Sequence, residues 1–145
     1  MSLREKTNAL FEAAGSSKTK PEEMKSIIEG LKSEPEFADT NTLLTALQGA
    51  LHVALMPGND ADSERRFGVI KVIADAEAGY YGGEYFPTML IQAVCRNNPA
   101  YIIRRIIELG VDVNAVDCEK RTAKDYATSN DEVRKILDDA MKKGR

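Results

Sequence analysis

Apolar positions along this chain recur at helical rather than strand spacing. Met24, Ile27, Ile28 and Leu31 fall at offsets of three, four and seven, which places them on one face of a helix. Pro21 suits the first turn of that helix, and Glu22 and Glu23 are favourable beside its positive end. The same spacing returns at Val133, Ile136, Leu137, Ala140 and Met141, preceded by Ser129 and Glu132 at the separation of a capping box. Between these, Ile102, Ile103, Ile106, Ile107 and Leu109 make a broader apolar face. Pro99 stands at its start and Gly110 just past its end, the usual asymmetry of helix termini. Strand-like alternation is almost absent, so the chain is expected to be all-α with little or no β.

Each of these helices has a shorter apolar segment before it. Asn8–Ala14 reads NALFEAA, Thr42–Gln48 reads TLLTALQ, Thr88–Val94 reads TMLIQAV and Thr122–Thr128 reads TAKDYAT. Asn8 and Thr42 stand 34 positions apart, as do Thr88 and Thr122; Thr42 and Thr88 stand 46 apart. A period in the low thirties is the mark of a helical solenoid. One helix pair cannot bury its own apolar face, and stacking neighbours makes that face continuous. The extra residues of the second unit fall in MPGNDADS (56–63) and AGYYGGEYF (78–86), both rich in turn formers. That unit is therefore read as two longer helices, about Asn41–Leu55 and Ser63–Glu77, followed by an elongated loop.

The 145 residues suit a single domain, read as residues 1–145 with units at about 3–38, 39–84, 85–117 and 118–143. A formal charge of -3 and a pI near 5.3 make the chain a poor match for phosphate backbones, which require clustered Lys and Arg. No nucleic-acid partner is expected. No apolar run approaches the roughly 20 residues of a membrane span, and MSLREKTNALFEAAG lacks the apolar core of a removable signal. A cytoplasmic protein without a membrane partner is the expectation, export by another route being invisible here. The two cysteines, Cys95 and Cys118, have no CxxC or Cys/His neighbours, and His52 is the sole histidine, so neither zinc nor a disulfide is expected. Cys95 is read as a small packed residue and Cys118 as an exposed turn residue.

The stretch from Thr88 to Ala140 resembles the ankyrin repeat. Ankyrin units are similar to a Thr-Pro-Leu-His-x-Ala-Ala helix start, a second helix, and a Gly-Ala-Asp-x-Asn-Ala turn. Thr88, Leu90 and Ala93 match the first motif. Gly110, Asp112, Asn114 and Ala115 match the turn, with Asp117 after it, and Thr122, Ala123 and Ala127 begin the last unit as TAKDYA. The first two units rest on spacing. Met89 and Ala123 replace the motif's Pro, Lys120 replaces its turn Gly, and Ile91 and Asp125 replace its His. The resemblance implies a solenoid of about four stacked helix-turn-helix units, the second enlarged, with no catalytic group, cofactor or metal. Within it the motif Thr would cap a helix start, Gly110 would take a left-handed conformation, and Asn114 would bond turn backbone.

No nucleophile, base or phosphate-loop motif appears. GYYGGEY does not follow a strand and lead into a helix as a phosphate cradle would. His52, in LHVAL, reads as a packed or partly exposed helix residue rather than a general base. The pairs Arg65–Arg66 and Arg104–Arg105 read as solvated faces, and MKKGR (141–145) as a basic end suited to the helix dipole. In ankyrin-like stacks the turn tips and first helices line the concave face. Carried onto this chain, that face comprises Tyr80, Tyr81, Glu84, Tyr85 and Phe86, then Arg96 and Asn97, then Asp117, Glu119, Lys120 and Arg121. Exposed Tyr and Arg dominate binding hot spots, so the tyrosines are the sharpest candidates, against the plainer reading that they cover the core of the enlarged unit. The expected function is a non-enzymatic protein-interaction module, an adaptor, inhibitor or effector, binding another protein as a monomer. Two rivals stand: a small helical enzyme whose residues meet only in three dimensions, and a self-associating structural protein, for which a dimer is the diagnostic state.

Overall fold

A computed structural model describes residues 2–37, 40–56, 62–80, 82–85, 88–128 and 130–143. Among these there are eight helices and no strand: α1 Leu3–Gly15, α2 Pro21–Lys32, α3 Thr40–Ala54, α4 Ser63–Ala78, α5 Met89–Cys95, α6 Ala100–Glu108, α7 Ala123–Tyr126 and α8 Asp131–Lys143. A short 3-10 turn, Pro35–Phe37, lies on α3. No described helix is long and apolar enough to cross a membrane. The chain divides into two compact units, Met1–Tyr85 and Phe86–Arg145, each taken by itself below.

In the first unit α1 packs on α2 and α3 on α4, while α1 also packs on α3 and α2 on α4. The core is built from Leu10, Met24, Ile28, Leu43, Leu47 and Ile70, all essentially buried. Two glycines allow the helices to approach. A Cβ at Gly49 would stand 2.6 Å from the Phe11 ring, and one at Gly68 would stand 2.4 Å from Cγ of Pro21. Stacking here uses bare backbone at Gly49 and Gly68, beside the small Ala46 and Ala50 of α3.

The second unit repeats the order. There α5 packs on α6 and on α7, and α8 packs on α6 and α7. Ile102, Ile103 and Ile106 of α6 are fully buried, joined by Leu90, Val133 and Leu137. Ile107 and Leu109 are only half-buried, at the edge of the apolar face.

Helix ends follow local chemistry, with some departures from expectation. α1 begins well before Asn8, because Ser2 and Glu5 form a capping box in which each side chain accepts from the other's backbone N–H. Asp62 caps α4, accepting from the Arg65 N–H at 2.9 Å. At α8 the Asn130 side chain accepts from the Val133 N–H at 3.1 Å; Ser129, expected in that role, lies outside the described residues. α7 is a single turn, shorter than Thr122–Thr128, because Ala127 leaves the helical region at ψ 54. Asp125 accepts from the Thr122 N–H at 2.9 Å, whereas Thr88 makes no side-chain cap to α5.

Two surface assignments are corrected. Arg66 is buried, and the Arg65 guanidinium donates to the Thr19 carbonyl, so this pair does not form a solvated face. Long Arg stems cover apolar surface while their heads find acceptors. Cys95 is exposed rather than packed, because it lies at the C-terminal end of α5; Cys118 is exposed as expected. Lys142 and Lys143 do occupy the last turn of α8.

Candidate protein-interaction surface

The residues singled out by the concave-face argument fall in both units. In the first unit, the chain after α4 turns back at Gly82 and Gly83, with φ of 70° and 91°, values that favour glycine. The Gly83 N–H donates to the Ala78 carbonyl at 2.9 Å, and the Tyr80 N–H to that of Glu77 at 3.0 Å. Tyr85 is tied to α4: its hydroxyl donates to the Asp75 carboxylate at 2.6 Å, and Asp75 also pairs with Lys71 at 2.8 Å. Donation to the Asp75 carboxylate, with burial second, pushes the Tyr85 hydroxyl up to about 12. Tyr80 is half-buried and Glu84 exposed. Tyr81 and Phe86 lie outside the described residues.

In the second unit, α5 ends in a left-handed cap at Asn97, φ 58°. Asn serves where Gly usually does because its short polar side chain tolerates that region. Asn98 is buried and its side-chain amide donates to the Ala93 carbonyl at 2.8 Å. Arg96 is half-buried and Asn97 projects outward. Although the Cys95 side chain is exposed, partial desolvation at its helix end first, and the Asp117 charge second, push its thiol up against the opposing pull of Arg96, so the reactive thiolate is disfavoured.

The turn from 117 to 121 is organised by one carboxylate. Asp117 accepts from the Glu119 N–H at 2.9 Å, from the Arg121 N–H at 3.1 Å and from the Tyr126 hydroxyl. The Tyr126 bond is the largest cause holding Asp117 below the usual carboxylate range, and it pushes Tyr126 up to about 12. Lys120 takes φ 62° at the place of the motif's Gly, and Gly110 takes φ 93° after α6. In the earlier turn Asp112, not Asn114, supplies the side-chain acceptor, receiving the Asn114 N–H at 2.9 Å.

The structure therefore places the predicted residues of this unit in two roles. Asp117 is an internal hub, its oxygens occupied by the turn's own donors. Asn97, Glu119, Lys120 and Arg121 present exposed side chains. Arg121 lies 3.4 Å from Glu119 and over the Tyr126 ring at 5.8 Å. Tyr126 was missed by the sequence reading; its signal was an aromatic inside TAKDYA at a helix start whose neighbours Ala123 and Ala127 pack inward. Asn97 and Tyr126 meet at a notch also lined by Val94, Asn98, Ala127 and Asn130. Its volume is about 10 Å³, room for about one water and too small for a larger ligand.

Larger open grooves of about 380 and 410 Å³ run between α1 and α3 and between α2 and α4. The second carries the Lys71–Asp75 and Lys32–Glu29 pairs on its rim. Among the described residues no three His, Cys, Asp or Glu side chains converge as metal ligands would. Comparison of the chain with protein-family models, with curated proteins and with solved structures gives no match.

Proposed function

We propose that this chain is a non-enzymatic protein-interaction module built of divergent ankyrin-like helix pairs. The observation that carries the reading is the packing order, found in both units: first helix on first helix and second helix on second helix. That order suits units that stack to complete one another's apolar faces. The left-handed backbone at Gly110 and Lys120 adds support at the turns where the ankyrin resemblance is strongest. On this reading the partner is another protein, met by a cytoplasmic monomer without cofactor or metal. In the second unit the contact residues are Arg96, Asn97, Glu119, Lys120, Arg121 and Tyr126.

The test is affinity capture from a lysate of the source cells, comparing wild type with an Asn97→Gly/Lys120→Gly/Arg121→Ala variant. Both glycines suit positive φ, so the turn keeps its backbone while its side chains are lost. The expected outcome is a protein recovered by wild type and depleted at least about tenfold with the variant, the loss expected for about 1.4 kcal/mol of binding free energy. Equal recovery of the same proteins by both would refute the assigned surface.

A further inference from the structure

Glu77 lies in the last turn of α4 and is 1% exposed. Neither carboxylate oxygen has a hydrogen-bond partner. Its own helix surrounds it with apolar side chains, Ile70, Ile73 and Ala74 on the buried face and Ala78 after it. A buried carboxylate without donors is costly, and the outward carbonyls of a helix C-terminus make an anion there less favourable still. On the elements packed together here the titratable groups include Lys25, Glu29 and Lys32 of α2, His52 of α3, and Lys71 and Asp75 of α4. None of them contributes to the titration of Glu77, which burial alone raises to about 7.

The bonds beside Glu77 hold the chain that follows. Its carbonyl accepts from the N–H groups of Gly79 and Tyr80, Ala78 accepts from Gly83, and Asp75, half a turn back, accepts from Tyr85. We propose that Glu77 is a proton switch on the last turn of α4: neutral, it leaves the turn packed and Tyr80, Gly83 and Tyr85 tied to it; ionised, it opens the turn and frees those residues. The proton moves between the carboxyl and water, and hydration of the carboxylate supplies what the packed turn cannot. This device belongs to the chain alone and does not depend on whether a partner binds.

The test is residue-resolved amide hydrogen exchange on the full chain between pH 5.5 and 8.5, corrected for intrinsic exchange. Protection at Tyr80 and Gly83 is expected to fall on the order of 30-fold across that range, as linkage to a group titrating at 4.5 when open and about 7 when closed requires. The Ile70 and Ile73 amides should lose much less. Glu77→Gln, which mimics the neutral acid, should remove the pH dependence and be about tenfold more protected than wild type at pH 5.5, where the open state of the wild type is already ionised. A loss shared equally by Ile70 and Ile73, or a Gln variant as pH-dependent as wild type, would overturn the switch. A second readout needs no variant: carbonyl NMR of Glu77 in the wild type should titrate near 7, and a midpoint in the ordinary carboxylate range would also overturn it.

Discussion

Lys120 and Asn97 both hold left-handed backbone, at φ 62° and 58°, yet the two residues bear it differently. Lysine has no local bond that favours this region, whereas asparagine visits it readily. Relief of about 1 kcal/mol of strain, less the roughly 0.5 kcal/mol that glycine adds to unfolded-chain entropy, leaves Lys120→Gly stabilising by about 0.5 kcal/mol. Asn97→Gly should be close to neutral or slightly destabilising. Urea unfolding of the two variants checks the order; a Lys120→Gly variant less stable than wild type would contradict it. The departure at Lys120 was visible in the sequence because the turn motif says which position needs positive φ. The bond from Tyr126 to Asp117 was not, since nothing local announces that a side chain nine positions on will reach back. Glu77 was likewise hidden. A glutamate near the end of an alternating helix face reads as solvated until neighbouring helices show otherwise.

Helices α2, α3, α4 and α6 were legible almost to the residue, because Pro21, the turn formers of 56–63 and 78–86, Pro99 and Gly110 punctuate the apolar runs. α1 begins ahead of its apolar run, at the Ser2–Glu5 box, and α7 stops short of Thr128, because the motif marks where that helix starts but not where Ala127 ends it. The contacts at Gly49 and Gly68 could not be read at all, since their reason lies on other helices. These glycines make a pair of opposite predictions with Gly30, which has open space around it. Gly30→Ala should stabilise by about 0.5–1 kcal/mol through helix propensity. Gly68→Ala gains the same propensity but drives a methyl into the Pro21 ring, so a net loss of about 1–2 kcal/mol is expected. Thermal unfolding of the two variants measures the signs directly, and equal shifts would show that the close approach does not constrain the packing.

For the molecule as a whole, stability against pH is set by groups pulling in opposite directions. Asp117, Glu36 and Asp138 are held below the usual range, chiefly by the Tyr126 hydroxyl, by the residue's own backbone N–H with Lys6, and by Lys124 with Lys142 respectively. Their contribution is present above the unfolded carboxylate range and disappears as pH falls through their folded values. Glu77 behaves oppositely. Its folded value is raised from 4.5 to about 7, so the folded state binds the proton more tightly and stability declines as pH rises between those values. The full loss is at most about 3 kcal/mol, and less where opening of the α4 terminus relieves it. The melting temperature should therefore peak near pH 5 and fall toward pH 8, and Glu77→Gln should flatten the alkaline side while leaving the acid side unchanged. At this scale the sequence period anticipated the all-α architecture. The pH profile needed the burial of one carboxyl, which only the folded chain shows.

The Asp117 carboxylate has a consequence for redesigning the loop that it holds. It grips backbone N–H groups at 119 and 121 and a hydroxyl at 126, and none of these bonds involves the side chains of Cys118, Glu119 or Lys120. The exposed Glu119–Arg121 pair is worth little to the fold. Positions 118 and 119 therefore form a cassette whose side chains can be exchanged while the loop keeps its shape, whereas position 120, at φ 62°, admits chiefly Gly, Asn or Asp; a library for selecting binders on this scaffold would randomise the first two fully and restrict the third.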